Sequence, residues 1–268
     1  MLIIEMLKSV FLGIVEGITE WLPVSSTGHL ILFNEFMNNE GSFLNSDLYI
    51  YVIQLGAILA VVTHFFHKLN PFAPSKSVQE KKDTWQMWFK VIAACIPAAV
   101  AGLLLNDYME NFENWQVVSA ALIIYGIAFI VIEKMNKKTT ITSINDLSYK
   151  NAVAIGLFQV LSIIPGTSRS GSTILGGMLL GTSRSVAAEF SFFLAIPIMF
   201  GVSALKIATY EGIINWVLLG IGMVVSYAVS MLAIRFLMNF VKKHSFSSFG
   251  WYRIALAIVV ILYFTVIR

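Results

Sequence analysis

Two similar polar stretches interrupt an otherwise apolar chain, and a proline breaks the helix pattern in each of them. The first runs from Gly13 to His29 and the second from Gly156 to Thr173. Four positions recur at a spacing of 143 residues, where Gly13, Glu16, Ser25 and Gly28 match Gly156, Gln159, Ser168 and Gly171. Charged and hydroxyl side chains are costly in lipid unless they serve a function. Their occurrence in corresponding places, about half a chain apart, indicates a duplicated membrane protein with a polar site.

The composition supports a membrane location. Hydrophobic residues make up 57% of the 268 residues and charged residues only 12%, whereas soluble domains have about 25% charged residues. The net charge of +3 is small and lies in loops, which indicates membrane topology and no nucleic-acid partner. The single cysteine, Cys95, excludes an internal disulfide and is expected to be a packing residue. The N-terminus has no basic flank or small-residue cleavage site, so no cleaved signal peptide is expected.

Six apolar segments are long enough to cross the hydrocarbon core, which takes about 20 residues of helix. They lie near Leu48–Phe66, Met87–Leu105, Trp115–Ile132, Val186–Thr209, Ile213–Leu237 and Phe249–Ile267. Two further regions break at Pro23 and Pro165. Their helical pieces are predicted near 2–22 and 26–37, and near 151–163 and 170–180. The second piece of each pair is too short to cross, so each pair predicts a re-entrant hairpin, which must be surrounded by protein or a wet cavity.

Loop charges orient these segments. Lysines concentrate in three loops, near 67–90, 134–150 and 238–248, and the intervening loops are acidic. The acidic residues are Glu40 and Asp47, then Asp107, Glu110 and Glu113, then Glu211. Cytoplasmic loops carry the excess of positive charge, so the lysine-rich loops are predicted to be cytoplasmic. The first hairpin then enters from outside and the second from the cytoplasm.

The predicted fold is therefore an all-α polytopic membrane protein with an inverted-topology repeat. Each half consists of one re-entrant helical hairpin and three transmembrane helices within a single membrane domain, 1–268. Repeat 1 covers about 1–150 and repeat 2 about 151–268. Such repeats place their site near the midplane, where the broken helix ends of both copies meet.

Glu16 and Glu20 lie four residues apart, on one face of the first half-helix. Like charges repel at this spacing, so in a poorly hydrated pocket at least one carboxylate must be protonated, paired or bound to metal. The functional interpretation is a site for a divalent cation or a proton. The alternative is a hydrogen-bonded pair that ties helices together.

The serines and threonines after each proline are expected to cap a new helix N-terminus. Free N–H groups and the positive dipole end make such termini good phosphate sites. Two of them converging with Arg169 would form a strong oxyanion site, because a guanidinium stays charged and binds phosphate or carboxylate oxygens in a fork. Arg169 is alternatively a structural counter-ion of Glu16 or Glu20, and the two roles are compatible.

His29 follows Ser26 by three residues, on the same helix face. A histidine one turn from a serine at an anion-binding terminus is a candidate for proton transfer. The alternative is a packed or interfacial histidine, the interpretation adopted for His64 and His67. Three further polar residues in or beside apolar segments are expected to lie next to the site: Gln54, Arg184 and Glu189.

The stretch from Glu16 to His29, together with Pro165–Thr173, resembles the bacterial undecaprenyl-diphosphate phosphatase family, also called the bacitracin-resistance family. The resemblance runs the length of the chain and includes 52–61 and 187–197. It implies removal of the terminal phosphate from undecaprenyl diphosphate, which regenerates the lipid carrier of cell-wall synthesis. It also implies an inverted-repeat fold in the bacterial cell membrane, a site facing the periplasm or exterior, and divalent-metal dependence. Since bacitracin binds the diphosphate, abundant enzyme would protect cells.

The resemblance also implies roles for single residues. It places the acidic pair at Glu16 and Glu20, the serine–histidine element at Ser26 and His29, and the arginine motif at Ser168, Arg169, Ser170 and Thr173. Arg169, the motif's hydroxyls and Thr27 would hold the diphosphate, and the glutamates would position Mg²⁺ or Ca²⁺. Ser26 would attack the terminal phosphorus while His29 or Glu20 takes its proton, with His29 as the alternative nucleophile.

A transporter or flippase of a polyprenyl phosphate lipid is the competing interpretation, because broken helices and paired glutamates also occur in transporters. Ser26, His29 and Arg169 together favour an enzyme, since a simple anion carrier needs no nucleophile. The clustering of costly polar groups disfavours a purely structural scaffold. The expected partners are a polyprenyl diphosphate lipid and the bilayer, and the oligomeric state is left open, with a homodimer as one option.

Overall fold

The computed structural model describes residues 2–37, 39, 41–110, 112, 114–135 and 137–267, and these residues are predominantly helical. The helices are α1 Leu2–Thr19, α2 Ser26–Phe36, α3 Asp47–His64, α4 Phe66–Leu69, α5 Val78–Glu110, α6 Trp115–Lys134, α7 Tyr149–Val160, α8 Arg169–Leu179, α9 Arg184–Thr209, α10 Trp216–Phe240 and α11 Ser247–Leu262. Two of the acidic residues used for topology, Glu40 and Glu113, lie outside the described residues, as do the side chains of Asp107 and Glu110.

Six helices among the described residues are long and apolar enough to cross a membrane: α3, α5, α6, α9, α10 and α11. The prediction of six spans in an all-α membrane protein is confirmed. Helix α5 begins nine residues before the expected start at Met87, because Ser77 and Glu80 exchange hydrogen bonds at its N-terminus. Helix α10 begins later than expected, at Trp216, because the Asn215 side chain caps it. Cys95 is buried within α5, as expected.

The two broken regions form helical pairs, α1 with α2 and α7 with α8, and the members of each pair contact each other. Helices α2 and α8 have 11 residues each, a length of about 17 Å at 1.5 Å per residue, which is too short to span the hydrocarbon core. A 3₁₀ turn, Leu161–Ile163, follows α7 before the second break. The short helices thus begin at the positions that the prolines predict.

Each hairpin packs against a span of the other half. Helix α1 contacts α10, and the equivalent helix α7 contacts α5. Both contacts depend on repeated glycines: a Cβ atom on Gly13 would lie 2.8 Å from the carbonyl oxygen of Gly222, and one on Gly156 would lie 2.0 Å from that of Ala94. Backbones approach this closely only where a side chain is absent. Each hairpin thus contacts a span from the other predicted repeat.

Equivalent spans of the two halves run antiparallel. Asp47 at the start of α3 pairs with Lys206 near the end of α9, and Lys68 beyond the end of α3 pairs with Glu189 near the start of α9. Similarly, Glu133 near the end of α6 accepts a hydrogen bond from a backbone N–H just before α11. An inverted repeat requires this antiparallel relation. The repeat itself and the sidedness of the two hairpins in the membrane stay predictions.

Candidate active site

Each hairpin break contains a serine in the left-handed backbone region. Ser25 and Ser168 both have a φ of 73°, and they are the two non-glycine residues with positive φ in the described part of the chain. Each caps the helix that follows: Ser25 Oγ accepts from the N–H of Gly28 at 3.3 Å, and Ser168 Oγ from that of Gly171 at 3.1 Å. This conformation costs about 1–2 kcal/mol, and such strain clusters at functional sites. The next residue in each case is a candidate site residue, Ser26 or Arg169.

Glu20 joins these two residues. Its Oε2 atom accepts a hydrogen bond from Ser26 Oγ at 2.6 Å, and its Oε1 atom accepts one from Arg169 Nη2 at 2.8 Å. The side chains of Glu20 and Arg169 are only 8% and 12% exposed. A charge-assisted bond in so dry an environment is stronger than one in water. The structure therefore brings a serine of the first hairpin and an arginine of the second to one carboxylate.

Arg169 is held from several sides. Its Nη1 atom donates to the carbonyl oxygen of Ser191 at 2.8 Å, and its guanidinium lies over the ring of Trp21, 5.7 Å from the centroid. Thr173 donates to Ser191 Oγ at 2.7 Å, and Ser170 donates to the carbonyl oxygen of Glu20 at 3.2 Å. The Nε atom is buried and has no hydrogen-bond partner among the described residues. One donor of the guanidinium thus has no partner among the described residues.

A cavity of about 260 Å³ opens between the two breaks. Five candidate site residues line it: Glu20, Ser26, Thr27, Ser168 and Arg169. The rest of the wall is partly apolar, from Ile164, Pro165, Ile198, Met199 and Val202, and partly polar, from Tyr51, Gln54, Ser162 and Gly166. The cavity thus offers polar groups to an anionic ligand group and apolar surface to a hydrocarbon chain attached to it.

Arg184 and Glu189, expected beside the site, do not line this cavity. Arg184 instead forms a bidentate pair with Glu133, at 2.9 and 2.6 Å, and Glu189 pairs with Lys68 at 2.6 Å. Both residues lie in the first two turns of α9, at the end opposite Lys206. The sequence places a polar residue on a span but does not show which residue it will pair with. For this reason the expected position of Arg184 and Glu189 beside the site was wrong.

His29 is buried, and its two ring nitrogens bond to groups other than Ser26. Its Nδ1 atom lies 2.7 Å from the carbonyl oxygen of Ser25, and its Nε2 atom lies 2.7 Å from the hydroxyl of Tyr252. Because a carbonyl only accepts, Nδ1 carries the proton and Nε2 accepts from Tyr252. The two rings are stacked, with centroids 5.7 Å apart. Of the two expected proton acceptors for Ser26, the geometry therefore favours Glu20.

Glu16 lies in α1, one turn before Glu20, and its side chain is fully buried. Both of its carboxylate oxygens lack a hydrogen-bond partner among the described residues. The matching residue of the second half, Gln159, is likewise buried with an unpartnered amide. A buried, unpaired carboxylate requires a proton or a cation. Among the described residues, no three metal-binding side chains converge on one point, so a cation at this pair would need further oxygen ligands.

Several residues around the site were missed by the sequence analysis. The Trp21 ring contacts Phe192 edge to face in the core, with centroids 5.2 Å apart, and this contact holds the chain at the first break. Tyr252 and Arg253 of α11 contact the hairpins, although the apolar pattern there predicted only a span. An arginine within an apolar segment is itself a signal of function, and Arg253 could have been found in this way.

Comparisons with known proteins find relatives over nearly the whole chain. A family model described as bacitracin resistance protein BacA matches residues 9–259. An undecaprenyl-diphosphatase of Lactiplantibacillus plantarum is 53% identical, covering 99% of this chain and 100% of the relative. An undecaprenyl-diphosphatase of Streptococcus thermophilus is 57% identical, covering 97% and 94%. Undecaprenyl-diphosphatase 1 of Clostridioides difficile is 53% identical, covering 98% and 97%. With matches over nearly its whole length, the chain belongs to the bacitracin resistance protein BacA family.

Proposed function

We propose that this protein is a membrane phosphatase that hydrolyses undecaprenyl diphosphate to undecaprenyl phosphate and inorganic phosphate. The observation that carries the proposal is the contact of Glu20 with both Ser26 and Arg169 in one cavity. A nucleophile, a base and a phosphate-binding cation are the parts that such a reaction needs. Relatives at 53–57% identity are named undecaprenyl-diphosphatases. Recycling of the lipid carrier and resistance to bacitracin follow from this activity.

The reaction is proposed to proceed in two displacements. Ser26 Oγ attacks the terminal phosphorus, and Glu20 Oε2, 2.6 Å away, accepts the hydroxyl proton. The bridging P–O bond breaks, and undecaprenyl phosphate leaves with that oxygen. Glu20 passes the proton to this leaving oxygen and becomes a carboxylate again. Water then attacks the phosphoserine and gives a proton to Glu20, which returns it to Ser26 Oγ as the bond from that oxygen to phosphorus breaks and inorganic phosphate is released. Arg169 stabilises the charge on the transferring group through a pre-oriented guanidinium.

The hydroxyls near Arg169 are proposed to have two different duties. Thr27 and Ser168 line the cavity, so we assign them contacts with the phosphate oxygens. Ser170 and Thr173 donate to Glu20 and Ser191 behind the arginine, so we assign them to holding Arg169 in place. The apolar part of the wall would take the first isoprene units of the lipid.

A divalent cation, Mg²⁺ or Ca²⁺, is proposed to bind at Glu16 and Glu20. The unpartnered carboxylate of Glu16 is the observation that supports it. Hard cations prefer carboxylate oxygens, and Mg²⁺ is commonly held by one or two carboxylates together with substrate phosphates. When bound, the cation would neutralise charge on the diphosphate.

Purified protein in detergent should release inorganic phosphate from a long-chain polyprenyl diphosphate, and EDTA should abolish this release. Glu16→Gln should weaken activation by added Mg²⁺ or Ca²⁺ at least tenfold, because one carboxylate of the pair is lost. Glu189→Gln is the matched control, since this buried glutamate pairs with Lys68 outside the cavity. If the protein bound the lipid but released no phosphate with any metal, the proposed phosphatase activity would be wrong and the transporter interpretation would be favoured. Phosphate release that EDTA does not reduce would contradict the proposed requirement for a divalent cation.

We also propose that the cavity faces the exterior or periplasm, which the loop charges support. Glu211 lies in the loop between α9 and α10, and Lys82 lies in the second turn of α5. Both residues are exposed, and their ends of the helices have opposite predicted sidedness. In a Cys95→Ala background, an impermeant thiol reagent added to intact cells should label Glu211→Cys and leave Lys82→Cys unlabelled. The reverse labelling pattern would place the first hairpin on the cytoplasmic side.

A further inference from the structure

One buried arginine on α11 joins the turns of both hairpins. Arg253 is 0% exposed, although it lies in an apolar helix that is long enough to cross the membrane. Its Nη1 atom donates to the carbonyl oxygen of Pro23 at 2.9 Å. Its Nη2 atom donates to the carbonyl oxygens of Gly166 and Thr167, at 2.8 and 2.9 Å. Burial of a guanidinium is costly unless its donors are used. Here both Nη atoms donate to loop backbone, and the buried Nε atom has no hydrogen-bond partner among the described residues.

The carbonyls that Arg253 binds are equivalent in the two halves. Pro23 and Gly166 lie 143 residues apart, and each precedes a left-handed serine, Ser25 or Ser168, by two residues. A single side chain therefore bonds to the same point of both copies of the turn.

The surroundings of Arg253 extend the same connection. Its guanidinium lies over the ring of Tyr125 on α6, 5.3 Å from the centroid, and Tyr125 accepts a hydrogen bond from Ser172 of α8 at 3.0 Å. The preceding residue, Tyr252, bonds to His29 of α2 at 2.7 Å. Helix α6 thus bonds to α8 of the second hairpin, and helix α11 bonds to α2 of the first.

We propose that Arg253 is a positioning residue that sets the separation of Ser26 and Arg169. These two residues are the third after Pro23 and the third after Gly166, so a fixed pair of turns fixes the starting points of both side chains. Arg253 contacts neither residue directly and does not line the cavity. The proposal rests on the proposed function of this site and adds to it the side chain that assembles the site from two halves.

The test compares Arg253→Met and Arg253→Lys with wild-type protein in the phosphate-release assay. Methionine keeps the volume of the stem but donates no hydrogen bond, so kcat per folded enzyme should fall by about 100-fold, the penalty typical of a misplaced reacting group. KM should change less than about threefold, because the residues that line the cavity are retained. Lysine is a single point charge that cannot fork onto both turns, so it should restore kcat only in part. Arg235→Lys and Arg235→Met, at an exposed arginine of α10, are the matched controls.

A merely structural role would lower the amount of folded protein and leave kcat per folded molecule unchanged, and this result would overturn the proposal. Arg253→Met that folds and keeps kcat within about threefold of wild type would also overturn it. If Arg253→Met does not fold, Arg253→Lys decides: a tenfold lower kcat supports the proposal, whereas wild-type kcat or failure to fold contradicts it. Absence of release by wild type and by the Arg235 variants would instead refute the proposed function.

Discussion

Replacing Ser26 by alanine is expected to lower kcat for phosphate release by about 1,000-fold or more, a loss of ~4 kcal/mol of transition-state stabilisation. The substitution removes the proposed nucleophile, whose Oγ atom lies 2.6 Å from Glu20 Oε2. Arg169 keeps its bonds to Glu20 and Ser191, so substrate binding should persist and KM should change little. Single-turnover and steady-state assays of purified protein would measure both constants.

Ser162→Ala is the matched control for this substitution. Ser162 lines the same cavity, but its hydroxyl donates to the backbone carbonyl of Gln159 at 2.7 Å and faces no base. Its loss should leave kcat within about threefold, because this hydroxyl makes no interaction with the transferring group in the proposed reaction. Trapping the phosphoenzyme separates the two nucleophiles, because phosphoserine is stable in acid and phosphohistidine is not. A phosphoenzyme that is labile in acid, or a Ser26→Ala variant that keeps most of its turnover, would contradict attack by Ser26. Either result would favour His29 as the nucleophile.

The hairpins were predictable from sequence because their signals are local. Pro23 and Pro165 cannot continue a helix, and the serines after them can cap a new one, so the starts of α2 and α8 follow from residue chemistry. The repeat spacing also pairs Ser25 with Ser168, and these residues share the same unusual φ. Boundaries elsewhere moved where a cap intervened, as Asn215 does at α10.

The contacts within the site were less predictable, because they depend on angles between helices. Spacing along α2 placed His29 near Ser26, but the ring bonds instead to the carbonyl of Ser25 and to Tyr252, which is 223 residues away. Glu20 lies before the first break and Ser26 lies after it. Their contact therefore depends on how the chain turns between them, which the sequence does not show. The partners of Arg253 were unpredictable for a related reason, since they are backbone carbonyls, which no side chain marks in the sequence.

Removal of the Arg169 side chain is the second large effect expected. Arg169→Ala should lower kcat/KM by about 10³-fold to 10⁵-fold, the range for arginines that stabilise phosphoryl transfer. Two causes act together: the transferring group loses its cation, and Glu20 loses the partner that neutralises it 2.8 Å away. An unpaired carboxylate beside the diphosphate repels it, so KM should rise as well as kcat fall. Phosphate release over a range of lipid concentrations measures both changes.

The comparison with Arg169→Lys shows whether the fork or only the charge matters. The guanidinium donates to Glu20 Oε1 and to the Ser191 carbonyl at once and still has an unpartnered Nε atom. An ammonium has donors around one point and cannot reproduce this planar arrangement, so lysine should restore no more than about a tenth of the lost activity. Arg184→Ala is the control, because that arginine pairs with Glu133 away from the cavity, and it should keep near-normal kcat/KM. If lysine restored all of the activity, Arg169 would act only as a counter-ion of Glu20. If kcat/KM of Arg169→Ala lay within about tenfold of wild type, the proposed role of Arg169 in the reaction would be wrong.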